Sequence, residues 1–264
     1  MDLHLQDSVA VVTGASRGIG LAVTKALAAE GAKVVAGART LNPDLSRLEW
    51  TGVVLPVEVD LSTPEGPEYL VGRSAHFGGL DILVNNVGAV TPRTAGFLAV
   101  TDEEWFATWN LGFMAAVRAT RAAVPLLVAR GGGVVVTIAS VNAFLPDPGV
   151  IDYSATKAAL RNVSKSWSKE FGAQGLRFST VSPGPVATDL WLGEHGVAAT
   201  LAAAAGTDPD TAREQAIAAQ GGFETGRFTR PDEVADLVVL LASDRAGNVT
   251  GADFVIDGGL VKTL

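Results

Sequence analysis

Two side chains capable of acid–base chemistry stand four positions apart, Tyr153 and Lys157 in the segment YSATK. Residues four apart on a helix share one face, so the phenol and the ammonium are expected to lie together. A phenol has a pKa of about 10, and a neighbouring ammonium lowers that pKa because it stabilises the phenolate. The pair predicts proton donation to a carbonyl oxygen, or proton removal from an alcohol. By itself, the same spacing is more often an exposed aromatic–lysine pair without a catalytic role.

A glycine-rich segment, TGASRGIG at residues 13–20, follows the first predicted strand and opens the first predicted helix. Its Gly-x-x-x-Gly-x-Gly spacing is a variant of the dinucleotide-binding fingerprint, in which a pyrophosphate approaches backbone N–H groups at a helix N-terminus. The segment therefore predicts a nucleotide cofactor. The simpler alternative is a tight turn that needs positive φ angles.

The same segment contains the Gly-x-Ser-x-Gly pattern of the hydrolase nucleophile elbow, with Ser16 as the nucleophile. A hydrolase needs a histidine base later in the chain, and only His76 and His195 follow Ser16. Neither histidine is in a segment predicted to be a catalytic turn, and the elbow normally follows a later strand than the first. A serine hydrolase is therefore the weaker alternative.

Seven short apolar runs alternate with longer segments of helical period. The runs are rich in Val and Ile and almost continuously apolar, which is typical of parallel strands covered on both faces. These strand candidates are residues 9–13, 33–38, 53–59, 81–85, 133–139, 177–181 and 253–256. Helix-start patterns stand between them at 62–65 (STPE), 101–104 (TDEE) and 230–233 (RPDE). The alternation predicts an α/β protein, a single-domain doubly wound Rossmann fold over residues 1–264 with a seven-stranded parallel sheet flanked by helices.

The composition narrows the classes of protein. With 264 residues, of which 48% are hydrophobic, the chain is long and apolar enough for one large core. A net charge of −8 leaves no basic surface for nucleic acid, and zero cysteines with three histidines argue against a metal site. No secretory leader is visible, and Gly, Pro or charge interrupts each apolar stretch before the ~18 residues that a membrane span needs. We expect a cytoplasmic protein that binds no membrane, metal or nucleic acid.

Four motifs occur in one order along the chain: the glycine-rich segment, NNVG at 85–88, a serine thirteen residues before Tyr153, and Pro183-Gly184 after the sixth predicted strand. In this combination the chain closely resembles the short-chain dehydrogenase/reductase family, from about residue 8 to residue 259. Val87 and Ala139 depart from the alanine and the second serine that are common in that family. Neither departure removes a catalytic group.

The resemblance implies a role for each matching position. Tyr153 is the expected acid/base, Lys157 lowers its pKa and binds the nicotinamide ribose, Ser140 holds the substrate oxygen, and Asn110 supports a proton-relay water. With Tyr153 and Lys157, the expected cofactor contacts are Gly14, Ser16, Arg17, Gly18, Ile19, Gly20, Arg39, Asp60, Leu61, Asn86, Val87, Gly88, Pro183, Gly184, Val186 and Thr188. The implied activity is hydride transfer between a nicotinamide cofactor and a ketone or secondary alcohol. The competing class, a nucleotide-sensing protein without chemistry, would be expected to lack one of the four catalytic groups.

The segment KVVAGART at 33–40 contains no carboxylate, although an enzyme that prefers NAD needs an acid there for the ribose 2′-hydroxyl. Arg39 is near the end of this segment, and Arg17 is expected to extend from the glycine-rich segment toward the same pocket. Guanidinium groups match phosphate geometry with paired donors. We therefore expect NADP(H) as the preferred cofactor and NAD(H) as the alternative. The simpler interpretation, in which both arginines are solvated surface charges, does not explain the missing acid.

Residues 188–229 form the one long segment without a regular pattern, and such a segment inside a compact domain is usually a functional lid. Trp191 is its expected substrate contact, with Ser140 and Tyr153. Since no Arg or Lys occurs between Thr188 and Ala212, we expect an apolar or weakly polar substrate without a carboxylate. A surface insertion without a role is the alternative.

Residues 101–130 carry more large apolar side chains than one core-facing stripe accommodates, including Trp105, Trp109 and Phe113. The family resemblance implies that this helix and the helix with Tyr153 pair with their copies, and that a C-terminal strand completes a tetramer. We expect a homotetramer or homodimer, and burial within a single chain is the alternative.

Overall fold

The computed structural model describes residues 1–263 and contains one seven-stranded parallel sheet. The strands are β1 Val9–Thr13, β2 Lys33–Ala38, β3 Val54–Glu58, β4 Ile82–Asn85, β5 Gly133–Ile138, β6 Leu176–Pro183 and β7 Asp253–Ile256. Their order is β3-β2-β1-β4-β5-β6-β7, and every neighbouring pair is parallel. This confirms the predicted doubly wound sheet. It places a crevice at the carboxyl ends of β1 and β4, where the winding direction reverses.

All seven predicted strands are present, three with the predicted bounds and four with ends that differ by at most two residues. Ten helices connect them in the described part of the chain: α1 Gly18–Ala29, α2 Pro43–Leu48, α3 Gly66–Gly72, α4 Asp102–Trp109, α5 Ala115–Ala129, α6 Ile151–Phe171, α7 Asp189–Leu192, α8 Val197–Ala205, α9 Pro209–Ala219 and α10 Pro231–Ala242.

Alternate strand residues point to opposite faces of the sheet, and helices cover both faces. On one face, Val12 and Val34 belong to a buried cluster that includes apolar residues of α1 and α10. On the other face, Val11, Val35 and Phe178 belong to a second cluster with residues of α3 and α5. The two clusters explain why the strands are almost continuously apolar.

Two of the three predicted helix starts are confirmed. The Thr101 hydroxyl accepts from the Glu104 N–H (3.3 Å) while the Glu104 carboxylate accepts from the Thr101 N–H (3.0 Å), which is a complete capping box. At the start of α10, Glu233 accepts from the Arg230 N–H at 2.8 Å. The pattern at 62–65 precedes a helix, but α3 begins only at Gly66, whose N–H donates to the Thr63 hydroxyl at 3.0 Å. The predicted Ser62–Glu65 box does not form, because the Ser62 N–H donates to Asp60 instead.

The segment 188–229 is not irregular, as the sequence pattern suggested. It contains α7, α8 and α9, and its longest stretch without a helix is residues 220–229. Two local signals explain the difference: residues 198–205 are mostly alanine, the best helix former, and Asp208 caps α9 by accepting from the Thr211 N–H at 2.9 Å.

A π-helical turn, Asn110–Met114, joins α4 to α5. By length and composition alone, the continuous run Asp102–Ala129 could cross a membrane, contrary to the sequence expectation, but the core helices of soluble proteins meet the same criterion. Here α5 contacts α3, β4 and β5, and its residues Ala119, Ala123 and Leu127 are buried in the sheet's second cluster.

Candidate active site

Thr13, the last residue of β1, ties that strand to the turn after β4. Its hydroxyl donates to the Val84 carbonyl (3.2 Å) and accepts from the N–H groups of Asn86 (2.8 Å) and Val87 (3.0 Å). The Asn86 amide in turn donates to the carbonyls of Thr13 (2.9 Å) and Gly14 (3.1 Å). These bonds join two predicted cofactor segments into one surface. No role was predicted for Thr13, although a hydroxyl at the end of a central strand could have indicated a contact with the neighbouring turn.

The glycine-rich turn depends on three glycines for two reasons. Gly14 and Gly18 have φ angles of +67° and +54°, in the left-handed region that other residues rarely adopt. Gly20 is required by close packing, because a Cβ there would lie 2.2 Å from the Gly14 carbonyl oxygen and 2.5 Å from the Asn86 amide nitrogen. The turn is therefore pressed directly against the turn after β4.

The first turn of α1 presents uncapped donors beside this surface. Arg17 occupies the N-cap position but makes no capping hydrogen bond, and the first turn has no acidic residue. Free N–H groups at a helix N-terminus attract anions, and the glycines leave their approach clear. The residues present therefore fit a dinucleotide pyrophosphate.

The segment after β6 closes the other side of the same cleft. Gly184 donates its N–H to the Ile256 carbonyl at 3.0 Å, and Val186 pairs with Thr229 in an isolated parallel bridge. The side chain of Thr188 then lies against Gly18, where a Cβ would come within 3.3 Å of its methyl group. A predicted nicotinamide contact thus lies beside a predicted pyrophosphate contact.

At the outer end of the cleft, Arg39 directly follows β2 and is exposed, as is Arg17. Asp60 is beyond the end of β3, where its carboxylate accepts from the N–H (2.9 Å) and the hydroxyl (2.7 Å) of Ser62. These hydrogen bonds, with a smaller contribution from the Arg39 charge, lower the pKa of Asp60. Its predicted partner Leu61 is buried.

Ser140, Tyr153 and Lys157 come together at the carboxyl end of β5, and we call them the catalytic group. The Lys157 Nζ donates to the Ile138 carbonyl (2.8 Å) and lies 5.5 Å from the centroid of the Tyr153 ring. The Ser140 side chain lies near enough to Tyr153 to lower the pKa of the phenol, an effect smaller than that of burial. The group borders the cofactor cleft, because a Cβ on Gly88 would lie 3.6 Å from the Lys157 Nζ.

Burial controls the electrostatics of this group. It raises the pKa of Tyr153 above its ordinary value, against a smaller opposing effect of the Ser140 side chain. It also lowers the pKa of Lys157 to about 8. The sequence predicted that the ammonium lowers the tyrosine pKa. In this structure the cost of burying a phenolate is the largest effect on that pKa, and it acts in the opposite direction. The Lys157 Nζ donates its hydrogen bond to a backbone carbonyl.

Asn142 is a site residue that the sequence analysis missed. Its side-chain oxygen accepts from the Ser140 hydroxyl (3.1 Å), while its backbone N–H donates to the same hydroxyl (3.2 Å). These bonds orient Ser140 at the start of the helical turn Val141–Ala143. Its position two residues after Ser140, at the carboxyl edge of the sheet, was the available signal.

Within residues 1–263, the side chain of Asn110 forms no direct hydrogen bond with Ser140, Tyr153 or Lys157, and its support of a proton-relay water stays a prediction. Its side chain donates to the Ser62 carbonyl and accepts from Arg118 Nη1 at 2.8 Å. Gly112, two residues later, faces α6 instead, where a Cβ would lie 3.1 Å from the Thr156 hydroxyl. Positions two apart on a helix point to nearly opposite sides, so a side chain at 110 cannot share the face of Gly112.

Trp191 packs within the 188–229 segment. Its ring lies 5.7 Å from that of Phe228 in an edge-on arrangement, and Phe228 lies 5.2 Å from Phe223. This places Trp191 in an aromatic cluster formed by the start of α7 and the loop after α9. No contact of Trp191 with Ser140 or Tyr153 occurs among the hydrogen-bonded and aromatic pairs of residues 1–263.

In the hydrolase alternative, Ser16 needs a histidine base, and no histidine of residues 1–263 forms a hydrogen bond with it. His76 stacks edge-on with Phe77 in the helical turn Arg73–Phe77, before β4. Within residues 1–263, neither His76 nor His195 forms a hydrogen bond with Ser16.

Comparison with known proteins gives consistent results. Residues 8–195 match the family model described as short chain dehydrogenase. The chain is 32% identical over 266 residues to the 3-oxoacyl-acyl-carrier-protein reductase FabG of Thermotoga maritima, covering 98% of this chain and 100% of that protein. It is 33% identical to rabbit (Oryctolagus cuniculus) dehydrogenase/reductase SDR family member 4, covering 98% and 96%. The crystal structure of L-sorbose reductase from Gluconobacter frateurii, complexed with NADPH and L-sorbose, has a TM-score of 0.89 and 37% identity over the full length of both chains.

We predict that replacing Lys157 by Met changes the pH dependence of stability. The folded-state pKa of about 8 is below the ordinary value of 10.5, so the unfolded chain binds more protons between these pH values. Wild-type stability therefore gains from this group as pH rises through that window, by about 3 kcal/mol in total. The variant lacks this gain.

Urea unfolding of both proteins at pH 7 and at pH 10, at one protein concentration, measures the difference. Lys25→Met, at an exposed position on α1, controls for the general effect of losing a lysine. A wild-type minus Lys157→Met difference that stays constant across this range would contradict the prediction.

Proposed function

Since the chain belongs to the short-chain dehydrogenase/reductase family, we propose that it transfers a hydride between NADP(H) and a ketone or secondary alcohol, with Tyr153 as the acid/base. The observation that carries this proposal is the convergence of Ser140, Tyr153 and Lys157 at the carboxyl edge of the sheet, beside the glycine-rich turn. A nucleotide-sensing protein would not need this convergence of a phenol, a hydroxyl and a buried ammonium.

When bound, the nicotinamide supplies or accepts the hydride, and the protein supplies the proton and the positioning. During reduction the carbonyl carbon gains the hydride, the C=O π pair moves to oxygen, and negative charge develops there. The Ser140 hydroxyl would turn its proton from Asn142 to that oxygen, the Tyr153 hydroxyl would donate a second hydrogen bond, and the Tyr153 proton then transfers to it. The resulting phenolate is stabilised by Ser140 and by the Lys157 ammonium.

The raised pKa of Tyr153 supports the reductive direction. A phenol with a pKa above its ordinary value stays protonated at neutral pH, so it is ready to donate. For alcohol oxidation the same residue must first lose its proton, which a charged Lys157 would favour.

The preference for NADP(H) is supported by Arg39. It directly follows β2, at the position where a carboxylate would bind the ribose 2′-hydroxyl of NAD, and both it and Arg17 are exposed to bind a phosphate. The solved structure of L-sorbose reductase, 37% identical, contains NADPH.

For the substrate, we propose an uncharged ketone held under a lid formed by residues 188–229, with Trp191 as a contact. Two polar side chains support this choice: Asn142 is bonded to Ser140, and Gln220 at the end of α9 donates to Asp147, in the connection that leads from β5 to α6, at 3.1 Å. Neutral hydroxyl-bearing ketones suit such groups, in keeping with the L-sorbose bound by the solved relative. The 32% identity to a 3-oxoacyl reductase makes a thioester the other candidate to assay.

We also propose that the chain assembles through α4 and α5. Phe106 is 72% exposed on α4, and Trp109 and Leu126 are partly exposed on the same helical run. Val255 is likewise exposed on β7, which is the unpaired edge of the sheet. Exposed apolar side chains on paired helices and on a sheet edge suit a symmetric dimer or tetramer.

Replacing Tyr153 by Phe should reduce kcat about 10²- to 10⁴-fold, because the ring stays while the transferable proton is lost. The assay follows NADPH oxidation with ketoses, including L-sorbose, and with 3-oxoacyl thioesters. Tyr69→Phe is the matched control, since Tyr69 is the chain's only other tyrosine and is exposed. Retention of more than half the wild-type turnover by Tyr153→Phe would refute the assigned role.

Replacing Arg39 by Asp should shift the ratio of kcat/KM for NADPH over NADH toward NADH about ten- to 150-fold, since a hydrogen bond to a charged group contributes about 1.5–3 kcal/mol. Arg47→Asp makes the same charge change on α2 and should shift the ratio much less. Wild-type turnover that is equal or better with NADH would contradict the NADP(H) preference.

Light scattering at micromolar concentration should give a mass two or four times the chain mass of 27.1 kDa. Phe106→Glu should lower that mass, because it places a carboxylate in the proposed contact. Trp50→Glu, at an 88% exposed position away from α4, should leave the mass unchanged. A wild-type monomer would exclude the assembly.

A further inference from the structure

Arg93 is a buried cation outside the residues considered so far. It is in the connection between β4 and α4, and its side chain is only 8% exposed. A guanidinium is costly to bury unless carboxylates and hydrogen bonds compensate its charge. Its partners therefore indicate what the burial achieves.

Those partners belong to three different elements. The side chain donates from Nε (3.2 Å) and Nη2 to one carboxylate oxygen of Asp152, and from Nη1 to Glu104 on α4. The backbone N–H of Arg93 donates to the Gly149 carbonyl at 2.7 Å, just before α6. Arg93 thus fastens the β4–α4 connection to the start of α6 and to α4.

Asp152 is the central acceptor and is 1% exposed. The oxygen that contacts Arg93 also accepts from the Thr108 hydroxyl (2.7 Å), and the other oxygen accepts from the Tyr153 N–H (3.0 Å). Burial raises the pKa of Asp152, but the hydrogen bonds from Arg93 and Thr108 outweigh burial and hold the pKa below its ordinary value. The carboxylate is therefore ionised and sits directly beside the residue that carries the phenol.

The same connection begins at the cofactor surface. Residues 86–88 follow β4 directly, and Arg93 comes five residues after Gly88. Gly88 faces the Lys157 Nζ, while Tyr153 and Lys157 occupy the first two turns of α6. Arg93 therefore links the segment that borders the cofactor to the helix that carries the proton donor.

We propose that Arg93, through Asp152, is a positioning residue that fixes the Tyr153 hydroxyl relative to the cofactor surface. The proposal rests on the proposed hydride-transfer function. Proton and hydride must reach adjacent atoms of one carbonyl, so a small displacement of α6 from residues 86–88 slows the reaction. A misplacement of about 1 Å costs on the order of 100-fold in rate.

Arg93→Lys is the main test. A lysine keeps the positive charge but has a single side-chain nitrogen. It therefore cannot donate to Asp152 and Glu104 from separate nitrogens, as the guanidinium does. We expect kcat to fall about 10- to 100-fold while the dissociation constant of NADPH is unchanged, because no predicted cofactor contact is altered. We also expect faster hydrogen–deuterium exchange of the Tyr153 N–H at the start of α6.

Arg130 offers a control with the same donor pattern at a more exposed position, 44% against 8% for Arg93. Arg130 also donates from Nε (3.0 Å) and Nη2 (3.1 Å) to an aspartate, Asp81, but at the opposite, amino end of β4. Arg130→Lys should leave kcat and the exchange of α6 unchanged. Equal losses of kcat in both variants would assign the effect to general destabilisation and overturn the proposal.

The double variant Arg93→Met, Asp152→Asn covers the case in which a single replacement folds poorly. It removes both charges together and so leaves no uncompensated buried ion. We expect it to bind NADPH at full stoichiometry and still show a reduced kcat. A kcat within about twofold of wild type, for this variant or for Arg93→Lys, would overturn the positioning role.

The exchange measurement separates this inference from the proposed function. If the wild-type protein turns over no ketone with NADPH, the proposed function fails. In that case the positioning role is judged by hydrogen–deuterium exchange alone. If Arg93→Lys leaves the exchange of α6 unchanged, Arg93 does not fix the helix either. If the wild type is active and only Arg93→Lys has no effect, the positioning role alone is wrong.

Discussion

The hydroxyl of Thr13 forms hydrogen bonds with three backbone groups of β4 and the turn that follows it. The position of the rest of the site depends on this junction. It holds the ends of β1 and β4 at the reversal of the winding. Since Gly20 leaves no room for a Cβ against Gly14 and Asn86, α1 starts in direct contact with the second turn. The donors at the N-terminus of α1 are thereby aimed into the crevice instead of at solvent.

Two buried basic side chains on the far side of the crevice, Lys157 and Arg93, differ in how far their charges are compensated. Among residues 1–263, Lys157 has one carbonyl as its hydrogen-bond partner and no carboxylate, and burial lowers its pKa to about 8. Arg93 has two carboxylates and stays charged. An under-compensated lysine is sensitive to what binds beside it, whereas a fully paired arginine holds structure in place. The difference suits one residue that stabilises a phenolate and another that fixes its position.

The cleft is closed by contacts between segments far apart in the chain. Thr188, after β6, touches Gly18 at the start of α1, and residues 188–229 then continue as three helices before Thr229 returns to pair with Val186. The bridge brings the two ends of this excursion together, so the three helices form one unit beside the cleft. This arrangement supports the proposal that the excursion acts as a lid.

Local sequence determined the elements and the individual motifs of this protein. The seven strands are apolar because both faces of the sheet are covered, and the capping box at Thr101 needs only neighbouring residues, so both can be predicted from short windows. The spacing of Tyr153 and Lys157 likewise places them on one helix face. The order of the motifs was specific enough to identify the family.

Only the tertiary structure decided which side chains meet. The partners of Asn110 depend on the rotation of α4 and the π turn, which direct its side chain to the Ser62 carbonyl and to Arg118. The pKa of Tyr153 is set by surrounding residues that exclude water, so a neighbouring lysine could not predict its direction. The bond between Arg93 and Asp152 joins residues 59 positions apart, and no local pattern encodes such a pair. Burial and long-range contact are properties of the packed chain, which is why these three features could be seen only in the fold.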